Sequence, residues 1–324
     1  MTVVDALFVG NAIMDVFGSC DEAFLSAHAI EKGSMTLVDE DRALVLYNAM
    51  PSAQEQAGGS AANSAFGFAM LGGSAAFSGK LADDDVGARF IANMASGYVQ
   101  YTGVIDAEGP ASARSMIFVT PDAQRSMNTF LGASLMMTAD SIQHNITAKF
   151  IYLEGYLFDA PHGPEIFAKA ANLASATGAQ LCLTLSDSWC VDRHKDALTT
   201  FIGDNVNILF SNQAEIRALL GTLDDAKLAD YCELVDEMIV TKGAGGADIW
   251  TSDGKLSVSA IQLGDVIDTT GAGDLFAAGY LYGRSTGRNC QTSGEIANIC
   301  AGEIICHYGA RPERNLAELV ESLR

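Results

Sequence analysis

The sequence predicts an α/β protein with a mostly parallel central sheet, helices on both of its faces, and a small β-sheet lid. Three observations predict it. Short, near-continuous apolar runs recur along the chain, helical periodicity follows several of them directly, and glycine clusters mark the strand-to-helix junctions.

DALFVG (5–10) opens the pattern as a buried strand, and GGSAANSAFGFAMLGG (58–73) passes from two glycines into a helix. VGARFIANM follows the acid run Asp83-Asp84-Asp85, which predicts a helix with a carboxylate cap. FIYLEGYLF (150–158) reads as a strand with PEIFAKAANLASA as its helix, and QLCLTL (180–185) as the next strand. NILFSN (207–212) leads into the helical pattern QAEIRALLG, while EMIVTKG (237–243) ends in a glycine-rich turn. In DTTGAGDLFAAGYLY (268–282) a glycine loop opens a further apolar helix. Residues ~12–43 and ~99–131 break the alternation. Their runs, such as ARSMIFVT and RSMNTFL, alternate polar and apolar positions between turn signals, predicting a small antiparallel layer that acts as a lid. No repeat or low-complexity segment interrupts residues 1–324, which predicts one domain with the lid segments inserted in it.

Bulk composition excludes several function classes. A net charge of −21 without any basic run argues against nucleic acid or an anionic membrane as partner. No apolar run approaches the ~18 to 20 residues needed to span a bilayer, and MTVVDALFVGN lacks the pattern of a signal peptide. Seven cysteines, odd in number and never in a C-x-x-C pair, predict free thiols and a cytoplasmic protein.

The strongest chemical signal is Asp274, placed directly after Gly271-Ala272-Gly273 and at the start of a helix. Unpaired N–H groups and the positive end of the helix dipole make such a position an anion site, with a carboxylate beside it as a potential base. In the first glycine motif, Gly59 allows close backbone approach to a ligand and Asn63 offers both a donor and an acceptor. Asp15, in VGNAIMDV, falls just beyond the carboxyl edge of the first strand, where a carboxylate suits two neighbouring hydroxyls or serves as a turn residue. Asn212 and Glu215 lie three apart at a strand-to-helix junction, a spacing compatible with a hydrated Mg2+ and equally with a helix cap. Thr241 and Gly243 to Gly246 follow a strand and offer N–H donors to phosphates, or form a tight turn between strands. GGSAAFSGKL (72–81) is not a phosphate-binding P-loop, because five residues separate Gly73 from Gly79 and Leu81 replaces the hydroxyl; it reads as a strand entering a turn.

Taken together, these motifs resemble the ribokinase-like (phosphofructokinase-B type) carbohydrate and nucleoside kinases across nearly the whole chain. DTTGAGDLFAAGYL is similar to that family's second signature and GGSAANSAFGFAMLGG to its first. GNAIMDV, FLSAHAIEKGSMTLVDED and AGGSAANS look most like the adenosine kinase branch. The resemblance implies an ATP-dependent kinase acting on the 5′-hydroxyl of a ribonucleoside, adenosine first, with a free-sugar kinase or a catalytically silent sensor as alternatives. By the same resemblance, Asp274 would be the base, with Gly271, Ala272 and Gly273 forming the anion hole. Asp15, Gly59 and Asn63 would bind the sugar. Asn212 and Glu215 would serve Mg2+, Thr241, Gly243 and Gly246 the ATP phosphates, and Asn298 the adenine. Asp268, Thr270 and the Gly309-Ala310 turn would hold a monovalent cation, usually potassium. Met35 departs from the family, since eukaryotic adenosine kinases tend to carry a polar residue there, beside the purine. Relatives are monomers or lid-paired homodimers.

Overall fold

The structure, a computed structural model, describes residues 2–50, 52–122 and 124–323. Its main element is a nine-stranded sheet. The strands lie in the order Gly254–Val258, Ala247–Thr251, Glu237–Thr241, Ile208–Asn212, Gln180–Thr184, Phe150–Glu154, Ala6–Val9, Ala75–Ser78, Val99–Tyr101. From Glu237–Thr241 to Val99–Tyr101 all pairings are parallel, and the two remaining pairings at the opposite edge are antiparallel, so that Ala247–Thr251 alone runs against the other strands of this sheet.

Side chains alternate between the two faces of a strand, so each apolar run feeds two cores. Phe8, Tyr152, Cys182, Phe210 and Ile239 join one core, together with helices Ser60–Met70, Ala272–Ser285 and Cys290–Ile304. Leu7, Leu153, Leu183, Leu209 and Val240 join the other, under helices Gly163–Thr177, Ser188–Asn205 and Gln213–Leu220. This two-sided burial explains why the strands read as continuous apolar runs rather than as alternating ones.

The second sheet is the lid, five strands in the order Met35–Leu37, Arg125–Phe130, Ala113–Val119, Ile13–Ser19, Gln54–Gly58. It corrects the expected lid in three respects. The sheet is mixed, because Ile13–Ser19 pairs in parallel with Ala113–Val119, and Arg125–Phe130 with Met35–Leu37. It gains Gln54–Gly58, whose polar sequence QEQAG gives no apolar alternation to read. It loses residues 99–106, since Val99–Tyr101 extends the central sheet and Val104–Asp106 pairs with Lys80–Ala82. Helix Glu40–Ala49 packs behind the lid, capped by Asp39, which accepts the Arg42 N–H at 2.8 Å.

Two smaller expectations are met. Asp84 caps helix Asp85–Ser96, accepting the Gly87 N–H at 2.7 Å. Ala75–Ser78 is a strand entering a turn, and Lys80 pairs with Asp106 at 2.9 Å instead of facing a phosphate site. All seven cysteines are free thiols.

Phe68 anchors helix Ser60–Met70 to the sheet, fully buried between Phe8 and Tyr282. Truncating a buried aromatic ring removes its transfer free energy and leaves a cavity. Phe68→Ala is expected to lower the unfolding free energy in urea by about 3–5 kcal/mol; a loss under about 1 kcal/mol would mean that the helix is held elsewhere.

Candidate active site

The site lies beyond the carboxyl ends of the parallel strands, where open α/β sheets bind ligands. Two helices start there. Gly271 caps Ala272–Ser285 with a φ of 77°, a left-handed conformation, and a β-carbon on it would lie 2.8 Å from the Ala310 β-carbon. Gly59 caps Ser60–Met70 with a φ of 96°, and its missing β-carbon would strike the Asn11 carbonyl oxygen at 2.1 Å.

Asp274, in the first turn of its helix, joins the two. Ser60 Oγ donates to Asp274 Oδ1 at 2.6 Å, and Asn63 Nδ2 donates to Oδ2 at 3.0 Å. Burial pushes the Asp274 carboxyl above the usual range, while these two hydrogen bonds and the nearby Arg311 charge work in the other direction. The N–H groups of Gly273 and Asp274 have no partner among the described residues, whereas the Ala272 N–H donates to the Thr269 carbonyl at 3.3 Å. Asn63 Oδ1 is buried and equally without a partner, which leaves an acceptor beside the Asp274 carboxylate.

Asp15 lies on lid strand Ile13–Ser19. Burial raises it to about 7, opposed by Arg311 and Arg125 and reinforced by the Asp274 charge. Register places Gln56, Asp15, Ser115, Thr129 and Leu37 in one row across the lid, and Gln54, Phe17, Ile117, Met127 and Met35 in the next. Directly opposed residues share a face, so Asp15 stands at the margin of an apolar surface. That surface is open at its edge, with Met35 58% and Leu37 60% exposed.

Behind the site, Glu154 ends its strand fully buried. Oε1 accepts the Asn11 N–H at 2.8 Å and Asn11 Nδ2 at 2.6 Å, and Oε2 accepts the Ala61 N–H at 2.9 Å. Burial lifts this carboxyl to about 7 against those hydrogen bonds. Arg311 is buried too, stacked over Phe66 at 4.2 Å. It donates through Nε to the carbonyl of Ala57 at 2.9 Å and through Nη1 to that of Ala62 at 3.0 Å. Sequence reasoning missed both residues, because neither belongs to a local motif.

Asn212 and Glu215 form a reciprocal helix cap. Asn212 Oδ1 accepts the N–H groups of Ala214 and Glu215, and the Glu215 carboxylate accepts the N–H and Nδ2 of Asn212. Glu215 is pushed up to about 7 by burial. Each carboxylate oxygen keeps a second lone pair, so the cap is compatible with water-mediated contact to Mg2+. Among the described residues, no group of three or more His, Cys, Asp or Glu side chains forms a direct metal site.

A cavity of about 490 Å3 lies next to the Gly271 loop. Thr241, Gly243, Gly246, Ala272 and Gly273 are among the residues that line it. Asn298 lines it as well, buried, with its Nδ2 lacking a partner. Gly243–Gly245 also forms the turn between two antiparallel strands. The Asp268 region differs from expectation. Its carboxylate is met by Arg125 Nη1 at 2.8 Å and by the N–H groups of Thr270 at 3.0 Å and Gly309 at 3.2 Å. With a guanidinium charge and two backbone donors already on it, this carboxylate does not fit a monovalent cation.

A family model described as pfkB family carbohydrate kinase matches residues 35–315. The chain belongs to the pfkB family of carbohydrate kinases. Two solved structures are similar over 99% of both chains. One is a probable sugar kinase from Rhizobium etli, 39% identical with a TM-score of 0.90. The other is the adenosine kinase from Sinorhizobium meliloti, 38% identical with a TM-score of 0.88. A nucleoside kinase of Methanocaldococcus jannaschii is 27% identical over 264 residues, 79% of this chain and 81% of the relative. This pfkB-family protein is thus a sugar or nucleoside kinase with a small-molecule substrate. Kinases of the family use ATP, generally with Mg2+. No helix among the described residues is long and apolar enough to cross a membrane.

The electrostatics of this pfkB-family site are testable without a substrate. Asp15 at about 7 lies well above its unfolded value of roughly 3.9, so the folded chain binds a proton that the unfolded chain releases between them. Its contribution to stability therefore falls as pH rises through that window. Asp15→Asn is expected to raise Tm relative to the parent protein at about pH 8, with the gap closing toward about pH 4. A gap that does not change with pH would show that Asp15 does not titrate there.

Proposed function

We propose that this kinase transfers the γ-phosphoryl group of ATP to the 5′-hydroxyl of a ribonucleoside, adenosine first. The observation that carries the reading is the apolar lid face in register with Asp15, formed by Phe17, Ile117, Met127, Met35 and Leu37. A ribose held by its hydroxyls at Asp15, Gly59 and Asn63 would set its base against that face, burying apolar area worth about 25 cal/mol per Å2. A free sugar leaves the face wet. The similarity to an adenosine kinase at 38% identity supports the same choice.

Chemically, the acceptor oxygen forms a bond to the γ-phosphorus while the bond to the ADP oxygen breaks, and Asp274 takes the hydroxyl proton. The raised Asp274 carboxyl is a better proton acceptor than an ordinary aspartate. Ser60 and Asn63 hold one lone pair of each oxygen and leave the others for the substrate. The start of the Ala272–Ser285 helix would face the transferring group, with Gly271 and Ala272 shaping the loop. The unpartnered N–H groups of Gly273 and Asp274 would stabilise charge on its equatorial oxygens, since the expected Ala272 donor is taken by the Thr269 carbonyl. Thr241, Gly243 and Gly246 would meet the remaining phosphates, and Asn298 the adenine. Asn212 and Glu215 would hold the water shell of a bound Mg2+, which would supply charge neutralisation at the phosphates. The reading places the protein in cytoplasmic purine salvage, as a monomer or homodimer.

Steady-state kcat/KM for adenosine, guanosine, inosine, ribose and fructose tests the proposal. Adenosine is expected to exceed both sugars by at least about tenfold, the factor that ~1.4 kcal/mol represents. Preference for a free sugar overturns the nucleoside reading, and no turnover of any acceptor favours a silent sensor. For the base, Asp274→Asn should lower kcat by at least about 100-fold in a protein that still folds and melts no lower than the parent, since general-base catalysis contributes ~10²- to 10⁴-fold. Near-normal kcat would remove Asp274 from the chemistry. Glu215→Gln should raise the Mg2+ needed for half-maximal rate with little change in nucleoside KM; an unchanged Mg2+ dependence would reduce the pair to a cap.

A further inference from the structure

Asp268 stands three residues ahead of Gly271 in the loop that opens the Ala272–Ser285 helix, with its side chain 4% exposed. A buried carboxylate needs a compensating charge. Here the charge comes from the lid. Arg125, the first residue of strand Arg125–Phe130, reaches across to Asp268 with Nη1 2.8 Å from Oδ2. The same Oδ2 accepts the Gly309 N–H, and Oδ1 accepts the N–H of Thr270. Register puts Arg125 opposite Val119 and Ser19, on the lid face that carries Asp15, and its charge also favours the ionised form of Asp15. One guanidinium therefore ties the lid to the anion loop.

We infer that Arg125 takes the place of a bound monovalent cation, so that the anion loop is ordered by the lid and not by an ion. Arg125 is a positioning residue in this scheme. It neutralises Asp268, and through the Asp268–Thr270 hydrogen bond it holds the backbone that leads into Gly271, Ala272 and Gly273. A second cation at Asp268 would face the guanidinium at close range, a like-charge contact on a carboxylate that Arg125 already neutralises. The loop's catalytic role in this scheme rests on the proposed function, but the electrostatic substitution does not.

The test compares the parent protein with Arg125→Ala and Arg125→Lys, each in potassium chloride and in tetramethylammonium chloride at equal ionic strength. Thermal melts without substrate come first. The parent Tm should be the same in both salts, while Arg125→Ala, with the space vacated, should melt higher in potassium. In turnover assays the parent rate should agree between salts within about twofold, and Arg125→Ala should lose at least about tenfold in tetramethylammonium. Potassium or methylguanidinium should restore several-fold of that loss, and Arg125→Lys should lie between parent and alanine variant. A merely structural arginine would give no salt-specific rescue. A parent protein that melts higher or turns over more than about threefold faster in potassium overturns the inference, as does an alanine variant whose melt is blind to the cation. Because the melts need no acceptor, they fail or succeed independently of which substrate the enzyme uses.

Discussion

The site turns on one carboxylate held between two helix N-termini. Asp274 belongs to the first turn of Ala272–Ser285 and is gripped by Ser60 and Asn63 from the first turn of Ser60–Met70. Burial disfavours its charge, and the two positive helix ends favour it. Burial outweighs the opposing hydrogen bonds and the Arg311 charge, so the carboxyl stays above its usual range. Everything that fixes those two helices relative to each other fixes this carboxylate.

Glu154 is the deepest of these supports. It ends a central strand and accepts from Asn11, on the path into the lid, and from Ala61, at the start of the Ser60–Met70 helix. Asn11 Oδ1 in turn accepts from Ser134 Oγ at 2.6 Å. One buried acid thereby joins sheet, lid entry and helix start. Its hydrogen bonds oppose the burial penalty without cancelling it, which is why the carboxyl stays near 7. Arg311 does the complementary work on the lid side, binding the carbonyls of Ala57 in the lid and Ala62 in the helix. Burial disfavours its charge as well, and Asp15 and Asp274 favour it. Arg311 thus favours the charged form of both carboxylates, while the Asp274 charge disfavours that of Asp15.

What could be read from the sequence was local. Asp274, Asn63 and Gly59 were legible because a glycine loop feeding a helix is a contiguous pattern, and the apolar strands were legible because two-sided burial leaves continuous runs. The supports were not, since their partners lie far along the chain: 143 residues separate Arg125 from Asp268 and Glu154 from Asn11, and 254 separate Arg311 from Ala57. No window of residues contains such a pair. The strand Gln54–Gly58 was hidden for another reason. It is a polar edge of the lid, held by backbone pairing to Ile13–Ser19 and not by an apolar face. Asn212 and Glu215 show the converse, a motif visible in sequence whose capping role the fold satisfies in full while its lone pairs remain available.

The net charge of −21 sets a last constraint on how such a protein can handle polyanions. Long-range attraction of phosphate is absent, and the surface field repels it, but that field is screened over about 8–10 Å at physiological salt. Inside the cleft the relevant charges are closer than that. Helix termini at Gly59 and Gly271 contribute oriented N–H groups that need no net charge, and Arg125 and Arg311 are turned inward, committed to Asp268 and to backbone carbonyls. The arginines near the site are thus held in place before any ligand arrives, where a flexible lysine would have to be ordered. An acidic exterior with a preorganised, donor-lined interior separates solubility from recognition. It also makes recognition depend on backbone geometry, which explains why the two cap positions are glycines with left-handed or extended positive-φ conformations and no space for a β-carbon.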